Sequence, residues 1–219
     1  MVEQDTGSVV KKTMEYYQKK YCLQGWAFLF LMPVLNFILP QDWGLENSVV
    51  ENLQMIFILL CLYWCLAMAH QKDLPDWGGS APAFWYAGFL MTLLLVGREI
   101  SWGRVFFPSE LGYEMIQWEE MGLYGKLAHP LIGILIALTF WCLWRSKFWI
   151  FVQRMWKHFA YPEIILLIIF VIAQYVAEHM SVAFWHGELA EELAETGAYI
   201  VIEWLVRETA ADYKRGEWA

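Results

Sequence analysis

The chain has 219 residues, 59% hydrophobic and 17% charged, whereas about 25% of an average soluble domain is charged. Its formal net charge of −8 excludes a basic nucleic-acid surface as its main business, so no nucleic-acid partner is expected. The apolar residues form long runs, several approaching the roughly 20 residues that cross a ~30 Å hydrocarbon core, not the alternation of a sheet or the single stripe of a soluble helix.

These features specify an all-α polytopic transmembrane helix bundle. Residues 1–24 form a polar segment carrying Lys11, Lys12, Lys19 and Lys20. It is too polar to be the apolar core of a cleaved signal, so the first span is expected to act as its own insertion signal. The bundle occupies residues 25–206, with spans at about Gly25–Leu39, Val49–Ala69, Pro82–Ile100, Leu127–Trp144 and Pro162–Met180. A sixth apolar but acidic segment runs over about Glu188–Val206, followed by a tail over 207–219. The count is six spans, or five if this last helix lies in the membrane interface. Aromatic residues gather near the ends of the runs, as interfacial belts do. Cys22, Cys61, Cys65 and Cys142 read as small packing residues, not as a disulfide framework.

Lysine and arginine set the orientation. Six spans place Lys11, Lys12, Lys19, Lys20, Lys72, Arg145, Lys147, Arg154, Lys157, Arg207, Lys214 and Arg215 on one side. The other side receives only Arg98, Arg104 and Lys126. An interfacial last helix would weaken this asymmetry, so the charges favour six spans with both termini cytoplasmic, in a bacterial inner (plasma) membrane.

That orientation sends acidic chemistry to the non-cytoplasmic face. Glu46 and Glu51 open the second span, Arg98 and Glu99 close the third, and His129 opens the fourth. Glu178 and His179 close the fifth, and the loop before the fourth adds Glu110, Glu114, Glu119 and Glu120. On the last segment Glu188, Glu192, Glu195, Tyr199 and Glu203 are spaced by four, three, four and four, which places them on one helix face. Such a row repels itself unless a cation, protons or arginines intervene. A divalent metal held by Glu178, His179, Glu192, Glu195 and His129 would relieve it, since carboxylate and imidazole suit zinc, iron or manganese. Arg98 and Arg104 reaching into the row would also relieve it. The plainer alternative is that acidic residues meet water at helix ends, where the helix dipole favours them. No HExxH or ExxH spacing is present.

The string GREISWGRVF, Gly97 to Phe106, is the most specific in the chain. It resembles the E-I-S-W-G-Q/R motif of a family of bacterial polytopic membrane proteins without a settled activity. The segment QDWGLENSVVENL from Gln41 is similar to that family's acidic opening to an earlier span, and Gly187 to Tyr199 to its Glu-rich final helix. The resemblance carries Glu99, Ser101, Trp102 and Gly103 onto motif positions, while Arg104 stands where Gln is commoner. The family's Glu-x-Asn-x-His run is not reproduced, because Glu120 and His129 lie nine apart. Multispan hydrolases of the alkaline ceramidase type also hold a metal among helix ends, but their Ser, Asp and paired-His pattern is not found here.

Physically, Arg98 and Glu99 at a span end need partners, and Arg98 is expected to pair with Glu51 or Glu178. Ser101 can bond back to the helix, Trp102 can anchor at the interface and Gly103 permits a break. Two functions compete. One is a membrane enzyme acting on a lipid or lipid-linked substrate, with Glu99 or Glu178 as general base and a metal activating water. The other is an accessory subunit of a larger membrane complex, packing against partner helices, pigments or quinones. A transporter or proton path along the glutamate row is a third, although no paired broken helices support it.

Overall fold

The computed structural model describes residues 21–45, 48–72, 79–106, 116–118, 120–155, 161–179, 185 and 187–215. Lys11, Lys12, Lys19, Lys20, Lys157, Glu46, Glu110, Glu114 and Glu119 lie outside the described residues. The described residues are all-helical, with seven α-helices among them: α1 (Leu23–Ile38), α2 (Val49–Ala69), α3 (Ala81–Glu99), α4 (Gly122–Ser146), α5 (Phe148–Met155), α6 (Tyr161–His179) and α7 (Glu188–Arg215). Short 3-10 turns follow α1 (Gln41–Gly44) and α3 (Ser101–Phe106). Four helices, α2, α3, α4 and α6, are long and apolar enough to cross a membrane. α1 has 16 residues, about 24 Å of helix at 1.5 Å per residue, and α7 is too polar to qualify.

The helices begin and end where local chemistry dictates. Ser80 caps α3, its hydroxyl accepting the Ala83 N–H at 3.4 Å, and Pro82 occupies the first turn, where its missing N–H has no cost. α4 starts at Gly122, five residues before the apolar run begins, so Pro130 lies inside the helix and not at its start. The amphipathic α5 intervenes between α4 and α6, where the apolar pattern alone marks no separate helix.

α7 is the hub. It packs against α1, α2, α6 and the Gln41–Gly44 turn, and α3 and α4 are layered outside α2. No residue from Leu189 to Tyr213 is exposed. The pairings fix directions. Gln174 meets Glu195 and Phe170 meets Gly197, so α6 and α7 are antiparallel. Gln54 bonds Glu192, while Cys65 and Met68 share a cluster with Ala210 and Tyr213, so α2 and α7 are parallel. Arg98 reaches Glu195 and Trp85 meets Tyr213, so α3 is antiparallel to α7. The start of α2, the end of α3, the end of α6 and the start of α7 therefore share one end of the bundle. Tyr124 bonded to Trp102 brings the start of α4 there too.

Polarity is inverted relative to a soluble fold. Phe37 is 89% exposed, Phe30 75% and Trp144 71%, and in α4 only Gly125, Ala128, Thr139 and Ser146 are buried. The interior meanwhile holds Gln54, Glu99, Glu163, Glu195 and Thr196. An apolar exterior around hydrogen-bonded polar groups is what hydrocarbon solvent demands. Small residues let the inner helix seat itself: a Cβ on Gly197 would overlap the Phe170 ring, and one on Gly44 would overlap the Leu189 backbone. Gly197→Leu is expected to wedge α6 from α7 and destabilise the protein by about 1–3 kcal/mol, the usual effect of overpacking, read by denaturant titration in detergent.

Candidate functional site

The sequence string singled out above forms an unusual turn. Ser101, Trp102 and Gly103 have φ of 43°, 55° and 87°, three consecutive left-handed residues directly after α3. Each non-glycine residue held this way costs about 1–3 kcal/mol and persists only when its surroundings impose it. Here the constraints are visible. The Gly103 N–H donates to the Ile100 carbonyl at 2.7 Å, and the Tyr124 hydroxyl donates to the Trp102 carbonyl at 2.6 Å. The Trp102 indole folds back over Gly97, where a Cβ would stand 2.6 Å from the ring. Ser101 contributes through its backbone conformation, and Trp102 clamps the helix end by packing on it.

The clamp fixes the last turn of α3, and with it Arg98 and Glu99. The Arg98 guanidinium meets the Glu195 carboxylate at 2.5 Å and donates to Glu99 Oε1 at 3.3 Å and to the Tyr199 hydroxyl at 3.1 Å. Tyr199 in turn donates to Glu99 Oε1 at 2.7 Å. The Gln174 amide of α6 also donates to Glu195. Beside this group, Gln54 Nε2 of α2 donates to Glu192 Oε2 at 2.6 Å and to the Glu192 carbonyl at 2.9 Å. Thr196 closes back on that same carbonyl at 2.8 Å. Glu51 lies within electrostatic reach of both Glu99 and Glu192. The Glu99 and Glu195 side chains are each 6% exposed, whereas Arg98 is 55% exposed and forms the open edge.

The expected residues divide into two sets. Glu99, Arg98, Glu192, Glu195 and Tyr199 come together, with Glu51 close by. Arg98 pairs with Glu195 and Glu99, not with Glu51 or Glu178. Glu188 is exposed at the first turn of α7, where the dipole favours it. Glu178 and His179 pair with each other at 3.4 Å on the outer side of α6, about half exposed. His129 is exposed on α4 and packs against Trp118, ring centroids 5.1 Å apart. Arg104 stacks over the other partner of that contact, 5.1 Å from the Trp118 ring, and donates to the Ile116 carbonyl at 2.8 Å. Arg104 and His129 thus build an aromatic platform next to α3, and the carboxylates are compensated by Arg98.

Glu178, His179 and His129 are therefore not gathered around Glu192 and Glu195. Among the described residues no three His, Cys, Asp or Glu side chains are arranged to hold a metal ion. The helix-face spacing identified which residues share the α7 row, but not how α4 and α6 rotate relative to it.

Three polar residues escaped the sequence reading. Gln54 and Gln174 are lone amides within apolar runs, and a polar side chain in such a run is itself a signal of an interhelical bond. Glu163 is wholly buried in the first turn of α6, accepting the Cys22 N–H at 2.9 Å and so tying the starts of α6 and α1 together. It lies at the opposite end of the bundle from the Arg98 group.

Compared with family models, curated proteins and solved structures, the chain matches none.

Removing Arg98 leaves two buried carboxylates without their cation. Arg98→Ala is expected to destabilise by on the order of 2 kcal/mol, below the 3–5 of a fully buried pair because half the arginine is exposed. The same change in a Glu195→Gln background should cost at least about 1 kcal/mol less, a coupling read from a double-mutant cycle of unfolding free energies. Gly97→Val is expected to displace Trp102 and quench less of its fluorescence against the helix, while Gly133→Val, at an open position on α4, leaves the spectrum unchanged.

Proposed function

We propose that this protein is a six-span plasma-membrane protein of bacterial type, with both termini cytoplasmic, whose working centre is the Arg98–Glu99–Glu192–Glu195–Tyr199 group at the non-cytoplasmic face. It performs acid–base chemistry on a lipid or lipid-linked substrate. The observation that carries the reading is the excess of carboxylate over cation: the buried Glu99 and Glu195 share one guanidinium, and the half-buried Glu192, bonded to Gln54, adds a third carboxylate on the same helix face, at one end of a bundle whose exterior is apolar. Interior ionisable groups at this depth are costly and are kept where chemistry needs them. In this reading Glu99 and Glu195 exchange protons with the substrate, Tyr199 relays to Glu99, and Arg98 at the open edge holds an anionic headgroup.

The six-span reading is supported by the packing of α1, α2 and α6 around α7. Arg145, Arg207 and Lys214 lie toward the opposite end from the Arg98 group, in keeping with a positive cytoplasmic side. A lipid substrate is favoured by a groove of about 540 Å³ at the start of α2, lined by Asp42, Trp43 and Ser48 at its polar rim and by Val49, Leu53 and Ile56. That amphipathic lining matches a headgroup-to-chain boundary. The resemblance to bacterial E-I-S-W-G proteins agrees with the membrane assignment.

Two experiments test this. A reporter fused after Ala219 should be active only in its cytoplasmic form; periplasmic activity would remove the sixth span. The purified protein incubated with total bacterial lipid extract should yield a product by mass spectrometry that Glu99→Gln and Glu195→Gln each reduce at least tenfold. A product profile identical to a protein-free control, or one untouched by both substitutions, would sink the acid–base reading.

A further inference from the structure

The groove beside the Gln41–Gly44 turn, about 540 Å³ in volume, has two walls that are fixed in place. One is the turn itself. A Cβ on Gly44 would overlap the Leu189 backbone, and the Gln41 amide donates to the Asn36 carbonyl at 3.2 Å, so the turn is held to α7 and α1. The other wall is one face of α2, where Val49, Asn52, Leu53 and Ile56 follow helical spacing. Val50, Gln54 and Ile58 are buried on another side of that helix, while Val49, Leu53 and Ile56 are about half exposed, so the groove opens to the outside.

The polar rim of this groove is poor in donors and rich in acceptors. The Ser48 hydroxyl donates to the Trp43 carbonyl, which spends its proton within the protein. The Asn52 amide donates to the Ser48 carbonyl at 2.6 Å. What the rim still offers is the exposed Asp42 carboxylate, which no described residue pairs, and the lone pairs of the Ser48 hydroxyl. The lining holds that one acid and no base.

We infer that the groove binds a phospholipid with a primary-ammonium headgroup, phosphatidylethanolamine, its ammonium on Asp42 and Ser48 and an acyl chain along α2. The three N–H donors of that headgroup match the acceptors of the rim. A trimethylammonium headgroup brings no donor, and a purely anionic headgroup would meet a carboxylate with no base beside it. Trp43 stands at the rim, where indole rings sit at headgroup level. From Val49 to Ile56 the wall then runs about 10 Å along α2, enough for the upper part of a chain. The inference rests on the membrane placement proposed above but not on the acid–base chemistry, since none of the lining residues belongs to the Arg98 group.

The test is native mass spectrometry of the purified full chain, released from micelles doped with phosphatidylethanolamine, phosphatidylcholine or phosphatidylglycerol of identical acyl chains. One phosphatidylethanolamine should be retained per chain, about fivefold over either of the others, the ratio expected of one ion pair at an exposed carboxylate. Asp42→Asn should erase that preference, whereas Glu178→Gln, which removes a half-exposed carboxylate at the same end of the bundle, should keep it. Ile56→Trp, which fills the apolar wall, should lower retention of all three lipids. Equal retention of the three, a preference for phosphatidylglycerol, or a phosphatidylethanolamine preference that survives Asp42→Asn would each overturn the site. On the wild type alone, successive N-methylation of the headgroup should lower retention as donors are lost, and retention that stays constant across the series refutes it. Binding is read without turnover, so these failures are distinct from a failure of the product assay with Glu99→Gln and Glu195→Gln.

Discussion

A carboxylate inside a helix bundle whose outside is apolar must meet its compensation within the bundle, and in this protein that requirement is met chiefly by Arg98. Glu195 is on α7 and Arg98 on α3, 97 positions away in sequence, yet their side chains touch at 2.5 Å. Tyr199 and Glu99 complete the contact, so α3 cannot rotate or slide along α7 without exposing a charge to apolar surroundings. Gln174 extends the same constraint to α6 and Gln54 extends it to α2, which packs alongside α7. The polar group at one end is thus also the register mark for the helices around α7. The carboxylates that the proposed chemistry uses and those that orient the bundle are the same residues.

The turn after α3 gives the pair its precision. A helix end ordinarily frays, which would let Arg98 wander. Here the left-handed run at Ser101–Gly103 returns the Trp102 ring onto Gly97, one residue before Arg98, and Tyr124 holds the turn from α4. Gly97 supplies the space, since any side chain there would meet the indole. Gly103 supplies a conformation that most residues resist. The strain sits next to the candidate site, and α4, which contributes no carboxylate to that site, takes part through a single hydroxyl.

α7 resolves an apparent contradiction between composition and place. Its glutamates make it the least apolar of the long helices, yet it is the most enclosed. Small residues, Ala190, Ala194 and Gly197 among them, let the apolar helices approach closely, and Glu192, Glu195 and Tyr199 find partners on neighbouring helices. The apolar helices then present Phe, Trp, Leu and Ile outward. The polar helix is stable because the others stand between it and hydrocarbon, and its own low hydropathy is a consequence of that shelter.

The sequence by itself determined where the long apolar helices form. A span's placement depends on its own contact with apolar surroundings, so the runs at Val49–Ala69 and near Pro82–Ile100 can be read without knowing their neighbours, and α2 and α3 occupy them. The row Glu192, Glu195, Tyr199 is equally legible, because helical periodicity is a local property. What only the tertiary structure decided was rotation and partnership. Glu178 and His179 turn outward, His129 joins Trp118 on α4, Glu188 stays exposed, and the lone amides Gln54 and Gln174 turn inward to meet Glu192 and Glu195. Which face of a helix points inward depends on the helices packed against it, and no spacing within one segment encodes a neighbour's angle. Four glutamates in a row announce that something positive must stand opposite; that it is Arg98 follows only from the antiparallel packing of α3 on α7.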